Sequence, residues 1–196
     1  MLPFQWAEYG KSRFGYRRIM AEREESMKQK VNPMEYAQVF TEALPKGVFL
    51  NTYHTKFNSM VIGWGAIGIE WGMKTVTVYV RQSRYSKPQI DATGEFTVSI
   101  PYLCDPDKEL IRVMGRQSGR DIDKAEYVTL IDPEENHVPG FKEAPLTLEC
   151  KVLYHNDQLI EDLPEKVTAR NYTKGSDAND YHTAYIAEIV AAYIIQ

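Results

Sequence analysis

The stretch Lys74-Thr75-Val76-Thr77-Val78-Tyr79-Val80 decides the fold, because its apolar and polar side chains alternate without interruption. The three valines fall on one face and the two threonines and Tyr79 on the other, which is the pattern of a β-strand with one buried face. The segment Arg81-Gln82-Ser83-Arg84-Tyr85-Ser86 follows directly, and a short helix is predicted over 86–92. The sequence therefore places two arginines and two serines where a strand ends and a helix begins.

Further strands are predicted on both sides of this stretch. They cover residues 48–55, 58–64, 95–100, 146–154 and 183–194. In 95–100, the side chains of Phe96, Val98 and Ile100 point inward, and in 146–154 every second residue from Leu146 to Tyr154 is apolar or Cys. The alanine content of 183–194 leaves a helix as the alternative to a strand there.

Short helices are predicted between the strands. Asn32 is a suitable N-cap before Pro33, and this helix should end before Pro45. Asp105-Pro106 predicts the start of another helix that runs through Met114, and the polar residues 155–180 are predicted to form a long surface loop. Strands separated mainly by loops argue against a regular βαβ alternation. The expected fold is mainly β, an antiparallel barrel with peripheral helices.

The composition is that of an ordinary globular protein. The chain has 196 residues, 43% hydrophobic and 26% charged, which suits one large domain or a domain with a short appendage. A net charge of −4 argues against a fold-wide basic surface, so neither nucleic acid nor a membrane is expected as a partner. We expect a cytoplasmic protein with reduced Cys104 and Cys150, because no secretory segment is recognised and the longest apolar run is too short to span a bilayer.

Residues 1–31 differ from the rest of the chain. The segment 13–30 is highly charged and mostly helix-favouring, so residues 1–31 are predicted to be an N-terminal helical extension. This helix could be solvated or could pack on a partner subunit. Residues 32–196 are predicted to form the main domain.

One motif is misleading. Gly63-Trp64-Gly65-Ala66-Ile67-Gly68 matches the dinucleotide-binding pattern G-x-G-x-x-G. That pattern requires a helix to begin at the glycines, so that the helix start can hold the pyrophosphate. A further strand follows here instead, so a hairpin is predicted and the dinucleotide fingerprint is rejected.

Two segments have the chemistry of an anion site. In 81–86, two guanidiniums, two hydroxyls and the amides of a helix start could hold a phosphate, although a solvated turn with a helix cap is the alternative. In 118–124, Ser-Gly exposes amides, and Arg120 and Lys124 add positive charge, which could equally pair with the neighbouring aspartates. No two of the four histidines have metal-site spacing, and no nucleophilic triad is recognisable.

Five blocks of the sequence occur together in a known family. They are Asn58-Ser59-Met60-Val61-Ile62-Gly63-Trp64-Gly65, then 74–86, 94–101, Ser118-Gly119-Arg120-Asp121 with Lys124, and 182–190. In this order they resemble the flavin reductase-like, FMN-binding split-barrel family, most closely its flavoredoxin-like branch. The resemblance covers residues 36–194. The fold that it implies is an antiparallel Greek-key split β-barrel of the FMN-binding type.

Three positions depart from the family pattern. Val61 stands where the family often has Thr, Ala187 where a Gly is frequent, and Met114 where the branch often has Cys. Val61 leaves the backbone to make the flavin contacts there, and Met114 removes a redox thiol. These departures bear on reductase activity more than on FMN binding.

The resemblance also implies a site. The FMN ring would lie against the strand formed by Asn58, Ser59, Met60, Val61, Ile62, Gly63 and Trp64. The phosphate would bind Arg81, Ser83, Arg84 and Ser86 beside Tyr85, with Lys124 and Arg120 assisting. His182 would lie near the flavin as the candidate catalytic residue, holding a ligand or orienting the ring. The family binds FMN near the interface of a homodimer, so a homodimer is implied.

The expected function is that of an FMN-dependent oxidoreductase of the flavin reductase type. Electrons would come from NAD(P)H or a reduced partner protein and pass to free flavin, ferric chelate or a protein. One alternative is a flavoredoxin-like FMN electron carrier with no substrate site of its own. The other is a split-barrel binding module without catalysis.

The aromatic content of 12% is divided between two roles. Phe49, Phe96 and Tyr154 fall on strand faces and are predicted to lie in the core. Trp64, Trp71 and Tyr85 fall in or beside the blocks that resemble a flavin site, so these rings are candidates to contact a planar ligand.

Overall fold

The protein is described by a computed structural model over residues 28–103, 105–173 and 178–196. The strands are β1 (Lys28–Lys30), β2 (Val48–Tyr53), β3 (Phe57–Ile62), β4 (Gly65–Glu70), β5 (Met73–Arg81), β6 (Glu95–Ile100), β7 (Leu130–Ile131), β8 (Gly140–Phe141), β9 (Leu146–Asp157) and β10 (His182–Ile195). The α-helices are α1 (Ala37–Ala43), α2 (Ser86–Thr93), α3 (Lys108–Arg116) and α4 (Glu165–Asn171). Short 3₁₀ helices cover Pro33–Tyr36, Leu44–Lys46, Lys124–Tyr127 and Ile160–Asp162.

The main sheet is antiparallel at every described pairing. Its strand order is β3-β2-β6-β9-β10-β5-β4, and β1 adds to the far end of β10, while β7 and β8 form a separate pair. The two end strands, β3 and β4, are connected through Gly63 and Trp64 alone. The sheet thus curves back on itself and leaves a split between β3 and β4. The predicted fold, an antiparallel split β-barrel with peripheral helices, is confirmed.

The alternating stretch that led to this prediction forms the centre of β5. Val76, Val78 and Val80 are fully buried, as are Phe96 and Val98 of β6. Apolar side chains at every second position of neighbouring strands therefore meet inside the barrel. This cluster is the main core of the protein.

Tyr154 is an exception among the predicted core residues. Its side chain is 52% exposed, whereas Phe49 and Phe96 are fully buried. The pairing of β6 with β9 ends at Lys151, and β9 runs on to Asp157 beside β10 alone. Tyr154 therefore lies on a projecting arm of the sheet rather than over the barrel, and its prediction as core is wrong.

A second apolar layer covers the outer face of β2 and β3. Phe49 and Phe57 pack there with Leu110 and Met114 of α3 and with Phe141. Burial of these large side chains fixes α3 against β3. The residues that follow α3 are thereby brought alongside the strand that carries the predicted site.

The helix starts follow from their capping side chains. Asn32 accepts a hydrogen bond from the Met34 amide at 3.4 Å, and the chain enters α1 through a 3₁₀ turn. Helix α3 is capped by Asp107, which accepts from the Leu110 amide at 2.8 Å. The predicted cap at Asp105 is therefore two residues too early.

The glycine-rich motif lies in a hairpin. Residues 65–68 belong to β4, and the turn to β5 is made by Trp71 and Gly72 with φ of 51° and 77°. Two consecutive positive φ values match the twist of a tight hairpin, and glycine adopts such a conformation without a steric penalty. Strands β4 and β5, not a helix, come directly after Gly63 and Trp64, so the rejection of the dinucleotide fingerprint is confirmed.

Two other predictions need correction. The predicted N-terminal helix lies mostly outside the described residues, but Lys28–Lys30 form β1, so the sheet begins before the expected boundary at residue 32. The polar region 155–180 is not one long loop, because β9 extends to Asp157 and α4 covers Glu165–Asn171. Residues 183–194 are a strand, as first predicted, and not the alternative helix. None of the helices in the described residues combines the length and apolar character needed to cross a membrane.

Candidate functional site

Two neighbouring cavities open along β3. The first, here called the Lys124 cavity, measures about 200 Å³; its lining residues are Asn58, Met60, Val61, Ser83, Arg84, Tyr85, Ser86, residues 114–120 and Lys124. The second, the Trp64 cavity, measures about 170 Å³ and is lined by Met60, Val61, Ile62, Gly63, Trp64, Tyr79, Arg81, Arg84 and His182. Met60, Val61 and Arg84 border both cavities. Together the cavities form a slot, called the β3 slot below.

Lys124 is the most unusual group in the slot. Its side chain is 3% exposed, and its ammonium donates to the carbonyl oxygens of Ser59 at 2.6 Å and Met114 at 2.9 Å. No carboxylate forms an ion pair with it among the described residues. Burial first, and then the nearby Arg84 guanidinium, lower the pKa of Lys124 from 10.5 to about 8. The slot therefore contains a buried positive charge that an anion would stabilise.

Asn58 contributes a buried amide to the same cavity. Its Nδ2 donates to Ser86 Oγ at 2.8 Å, while its Oδ1 has no hydrogen-bond partner among the described residues. Gly119 lies directly over this oxygen, since a Cβ at position 119 would come within 2.1 Å of it. The absence of a side chain at position 119 is what allows the 117–120 turn to approach β3.

The segment after β5 supplies hydroxyl and guanidinium groups. Ser83 donates from Oγ to Asp180 at 2.6 Å and from its amide at 3.0 Å, and Ser86 starts α2 beside Asn58. The Tyr85 ring has the Arg120 guanidinium 5.1 Å from its centroid. Arg84, Arg120 and Lys124 thus give the Lys124 cavity three cationic side chains.

Arg81 does not join this group. It borders the Trp64 cavity, and its guanidinium donates to the carbonyl oxygens of Asp180 at 2.7 Å and Asn171 at 3.1 Å. These bonds tie the end of β5 to the last residue of α4 and to Asp180. Arg81 thus lines the slot at the Trp64 cavity, whereas Ser83 and Ser86 line the Lys124 cavity, and its predicted phosphate contact stays a prediction.

His182 and Trp64 form the far end of the slot. His182 is 6% exposed, and its ring centroid lies 4.7 Å from that of Trp64, which is itself 42% exposed. Tyr172 lies behind His182, with its hydroxyl 2.8 Å from His182 Nδ1 and donating to Gln158 Oε1 at 3.0 Å. The strand pairing His182↔Arg81 sets the position of the imidazole.

The structure brings together most of the predicted site residues. The slot is bordered by Asn58, Met60, Val61, Ile62, Gly63, Trp64, Arg81, Ser83, Arg84, Tyr85, Ser86, Lys124 and His182. Ser59 differs, because its side chain is buried and only its carbonyl, through Lys124, contributes. Trp71 differs too, because it lies 60% exposed at the hairpin turn, outside the described residues that line either cavity.

Sequence reasoning missed Tyr172 and residues 115–117. Tyr172 follows α4, in the region predicted to be a loop, so its approach to His182 had no signal in the local pattern. The apolar positions of α3 gave a partial signal for residues 115–117, because they predict a helix that packs on the sheet.

The described residues offer little for thiol or metal chemistry. Cys150 is fully buried, and burial first, followed by Glu149, raises the pKa of its thiol well above the usual value. Cys104 lies outside the described residues. No group of three or more His, Cys, Asp or Glu side chains is arranged as a metal site in the part of the chain that the structure describes.

The chain resembles known proteins in sequence. A family model described as "Flavin reductase like domain" matches residues 42–196. A curated relative, an uncharacterized protein of Archaeoglobus fulgidus, is 30% identical over 103 residues, which span 50% of this chain and 55% of the relative.

Solved structures share the fold. Flavoredoxin from Methanosarcina acetivorans is 24% identical with a TM-score of 0.58, covering 76% of this chain and 68% of that one. An FMN-binding domain of a flavin reductases-like enzyme from Shewanella baltica OS155 is 17% identical with a TM-score of 0.60, covering 86% and 77%. Nitrilotriacetate monooxygenase component B from Bacillus cereus is 17% identical with a TM-score of 0.58, covering 86% and 82%.

Proposed function

The chain belongs to the flavin reductase like domain family, and from this premise we propose that it binds FMN in the β3 slot and moves electrons through it. Residues 32–196, with strand β1 (Lys28–Lys30) added to their sheet, would form the FMN-binding domain. NAD(P)H or a reduced partner protein would supply electrons, and free flavin, ferric chelate or a protein would receive them. Bound FMN would accept hydride or electrons at its ring, so the chain itself needs only to bind, orient and shield the FMN.

Lys124 is the observation that carries this proposal. A buried ammonium without a carboxylate partner in the described residues is costly in a ligand-free protein. A phosphate monoester in the Lys124 cavity would compensate that charge, because Arg84, Arg120 and the hydroxyls of Ser83 and Ser86 border the same space. The residues present therefore fit the phosphate end of FMN.

The Trp64 cavity fits the flat end of the same ligand. Met60, Val61 and Ile62 give it an apolar wall, and the exposed indole of Trp64 offers a face for stacking. The imidazole of His182 lies beside that indole and can hold a hydrogen bond at the ring edge. We assign His182 the role of orienting the ligand.

We further propose that the protein acts as a homodimer with the slot near the subunit interface. Support comes from exposed apolar side chains on the sheet surface, namely Ile69 on β4 and Leu153 and Tyr154 on the projecting arm of β9. Apolar residues at exposed sheet positions are typical of surfaces that meet a partner. Sedimentation equilibrium tests this assembly, and a monomer at micromolar concentration would refute it.

An electron carrier is the second candidate function. The observation in its favour is the similarity to a flavoredoxin, at 24% identity. A carrier needs the same FMN site but exchanges electrons with a protein partner alone.

The visible spectrum of the purified protein tests the proposal first. Flavin absorption bands that stay with the protein through gel filtration, or that appear after soaking in FMN, support FMN binding. Protein that stays colourless after soaking would refute it and leave a binding module without flavin. Oxidation of NAD(P)H with added free FMN then separates the functions. Fast turnover supports the reductase, whereas bleaching of the bound FMN only by a partner protein supports the carrier.

A further inference from the structure

Another recess shares Trp64 with the β3 slot. This recess, called the α4 groove, measures about 410 Å³ and is lined by Trp64, Gln158, Leu163, Val167, Arg170, Asn171 and Tyr172. Trp64 also lines the Trp64 cavity, so one side chain borders both spaces. A ligand in the groove would contact the same ring that we assign to the flavin site.

Part of the groove's lining is apolar, and the rest is polar. Val167, Arg170 and Asn171 are spaced i, i+3 and i+4, so one face of α4 is turned toward it. The half-buried Leu163 and Val167 face the space together with the exposed part of the Trp64 indole. An indole and two aliphatic side chains beside polar groups suit an organic molecule with an aromatic body and a polar end.

The positive charge in the groove lies at its α4 end. Arg170 lines it, while the acidic residues of the same segment, Glu161, Asp162 and Glu165, are absent from its described lining. No ion pair of Arg170 occurs among the described residues. A guanidinium beside an apolar wall favours a ligand with a carboxylate or another planar anionic group.

We propose that the α4 groove binds the second reactant of the protein, and that this reactant is a planar aromatic molecule bearing an anionic group. The aromatic body would lie against Trp64 and the anionic group would pair with Arg170. The assignment rests on the proposed function, because FMN beside Trp64 is what makes a ligand in the groove a reaction partner.

Benzoate and benzamide are matched probes, since they differ in charge but hardly in shape. The chain has tryptophan only at positions 6, 64 and 71, so the Trp6→Phe/Trp71→Phe variant reports on Trp64 alone. In FMN-free protein, benzoate should quench Trp64 fluorescence with a dissociation constant about tenfold lower than that of benzamide. Arg170→Gln should raise the benzoate constant about tenfold and leave the benzamide constant unchanged.

Two variants control for other sites. Arg112→Gln removes an exposed arginine of α3 that pairs with Glu109, and it should change neither constant. Arg84→Gln removes an arginine of the β3 slot, so loss of benzoate binding in this variant but not in Arg170→Gln would place benzoate in the slot and overturn the proposal. Equal affinities for the two probes, or no saturable quenching up to about 20 mM, would also overturn it.

FMN binding is measured separately, by flavin fluorescence in the same variants. Arg170-dependent benzoate binding without FMN binding would leave the groove intact and refute the proposed function. FMN binding without charge-selective benzoate binding would support the proposed function and refute the proposed role of the groove.

Discussion

The ammonium of Lys124 donates to the carbonyl oxygen of Ser59 at 2.6 Å, across the gap between β3 and the segment that follows α3. A second bond from the same ammonium reaches Met114, whose carbonyl lies in the last turn of α3. The cation thereby compensates the partial negative charge of a helix C-terminus while it borders the slot. One side chain both fastens the wall of the site and supplies its charge.

The pH dependence of FMN binding should follow Lys124. Its pKa in the ligand-free protein is about 8, and an anionic ligand stabilises the protonated form. FMN affinity should therefore be constant well below pH 8 and fall as the pH rises through about 8. Flavin fluorescence quenching from pH 6 to 10 measures this, and Lys124→Met should remove the pH-dependent step while binding FMN more weakly.

The stability of the ligand-free protein should have the opposite pH dependence. The folded pKa of Lys124 lies below its ordinary value of 10.5, so between about pH 8 and 10.5 the unfolded chain binds more protons than the folded chain. The contribution of Lys124 to the free energy of unfolding thus rises with pH across this window. Urea unfolding of the parent and of Lys124→Met at several pH values isolates this contribution. Identical pH profiles of the free energy of unfolding for the two proteins would contradict the buried state of Lys124.

Arg84→Ala should weaken FMN binding more than it changes stability. Arg84 is an exposed residue that borders both cavities, so its loss removes a charged contact to the ligand and little core packing. We expect FMN affinity to fall about 10- to 100-fold. Arg112→Ala, which removes another exposed arginine, is the control and should bind FMN like the parent. An FMN affinity of Arg84→Ala equal to that of the parent would refute the assignment of Arg84 to the phosphate.

Gly119→Ala should disturb the Lys124 cavity. The added Cβ would come within 2.1 Å of Asn58 Oδ1 and 3.0 Å of the Tyr85 ring, so the turn must move away from β3. A cost of about 1–3 kcal/mol in the free energy of unfolding is expected, together with weaker FMN binding. Gly68→Ala is the matched control, because a Cβ there meets nothing within 4 Å of the described chain. Equal thermal midpoints for the two variants would show that the turn lies elsewhere.

Trp64→Leu and Trp71→Leu separate a ligand contact from an exposed hairpin residue. Both indoles are largely exposed, at 42% and 60%, but Trp64 alone of the two borders the described slot. Trp64→Leu should lower FMN affinity by about tenfold, and Trp71→Leu should leave it unchanged. Titration of each purified variant with FMN provides the comparison, and equal losses would argue against stacking on Trp64.

The core can be tested with two aromatic residues that the sequence pattern treats alike. Phe96 is fully buried and Tyr154 is 52% exposed. Phe96→Ala should lower the free energy of unfolding by about 3–5 kcal/mol, whereas Tyr154→Ala, measured on protein dilute enough to be monomeric, should change it by about 0.5 kcal/mol or less. Chemical unfolding of the two variants under these conditions checks this. A large loss in monomeric Tyr154→Ala would contradict the exposure of the projecting arm within one chain.

The strands of the barrel could be predicted from sequence because their burial is local and periodic. The valines of β5 and the apolar positions of β6 carry the alternation that a one-sided strand requires. Tyr154 continues the same alternation, but burial also requires a neighbouring strand on the other side, and β6 ends before it. Periodicity shows on which face of a strand a residue lies. It does not show how far the neighbouring strands extend beside that residue.

The site was predictable to the extent that its groups lie in short segments. Asn58–Trp64 and 81–86 were recognised as blocks, and the structure brings them to one slot. The separate role of Arg81 was not predictable, because it depends on carbonyls at positions 171 and 180. The contact of Tyr172 with His182 likewise depends on α4, a short helix whose pattern is too polar to stand out.

Strand β10 pairs with three others, and this determines when the barrel can close. His182 of β10 pairs with Arg81 of β5, and Tyr193 of β10 pairs with Lys30 of β1. The strand pairings that close the barrel therefore join residues far apart in sequence. Such distant pairings are entropically costly and slow to form. As the chain is synthesised, the edges of β5 and β9 that pair with β10 stay unpaired until β10 emerges. The interval before β10 arrives is therefore when this protein is most exposed to aggregation.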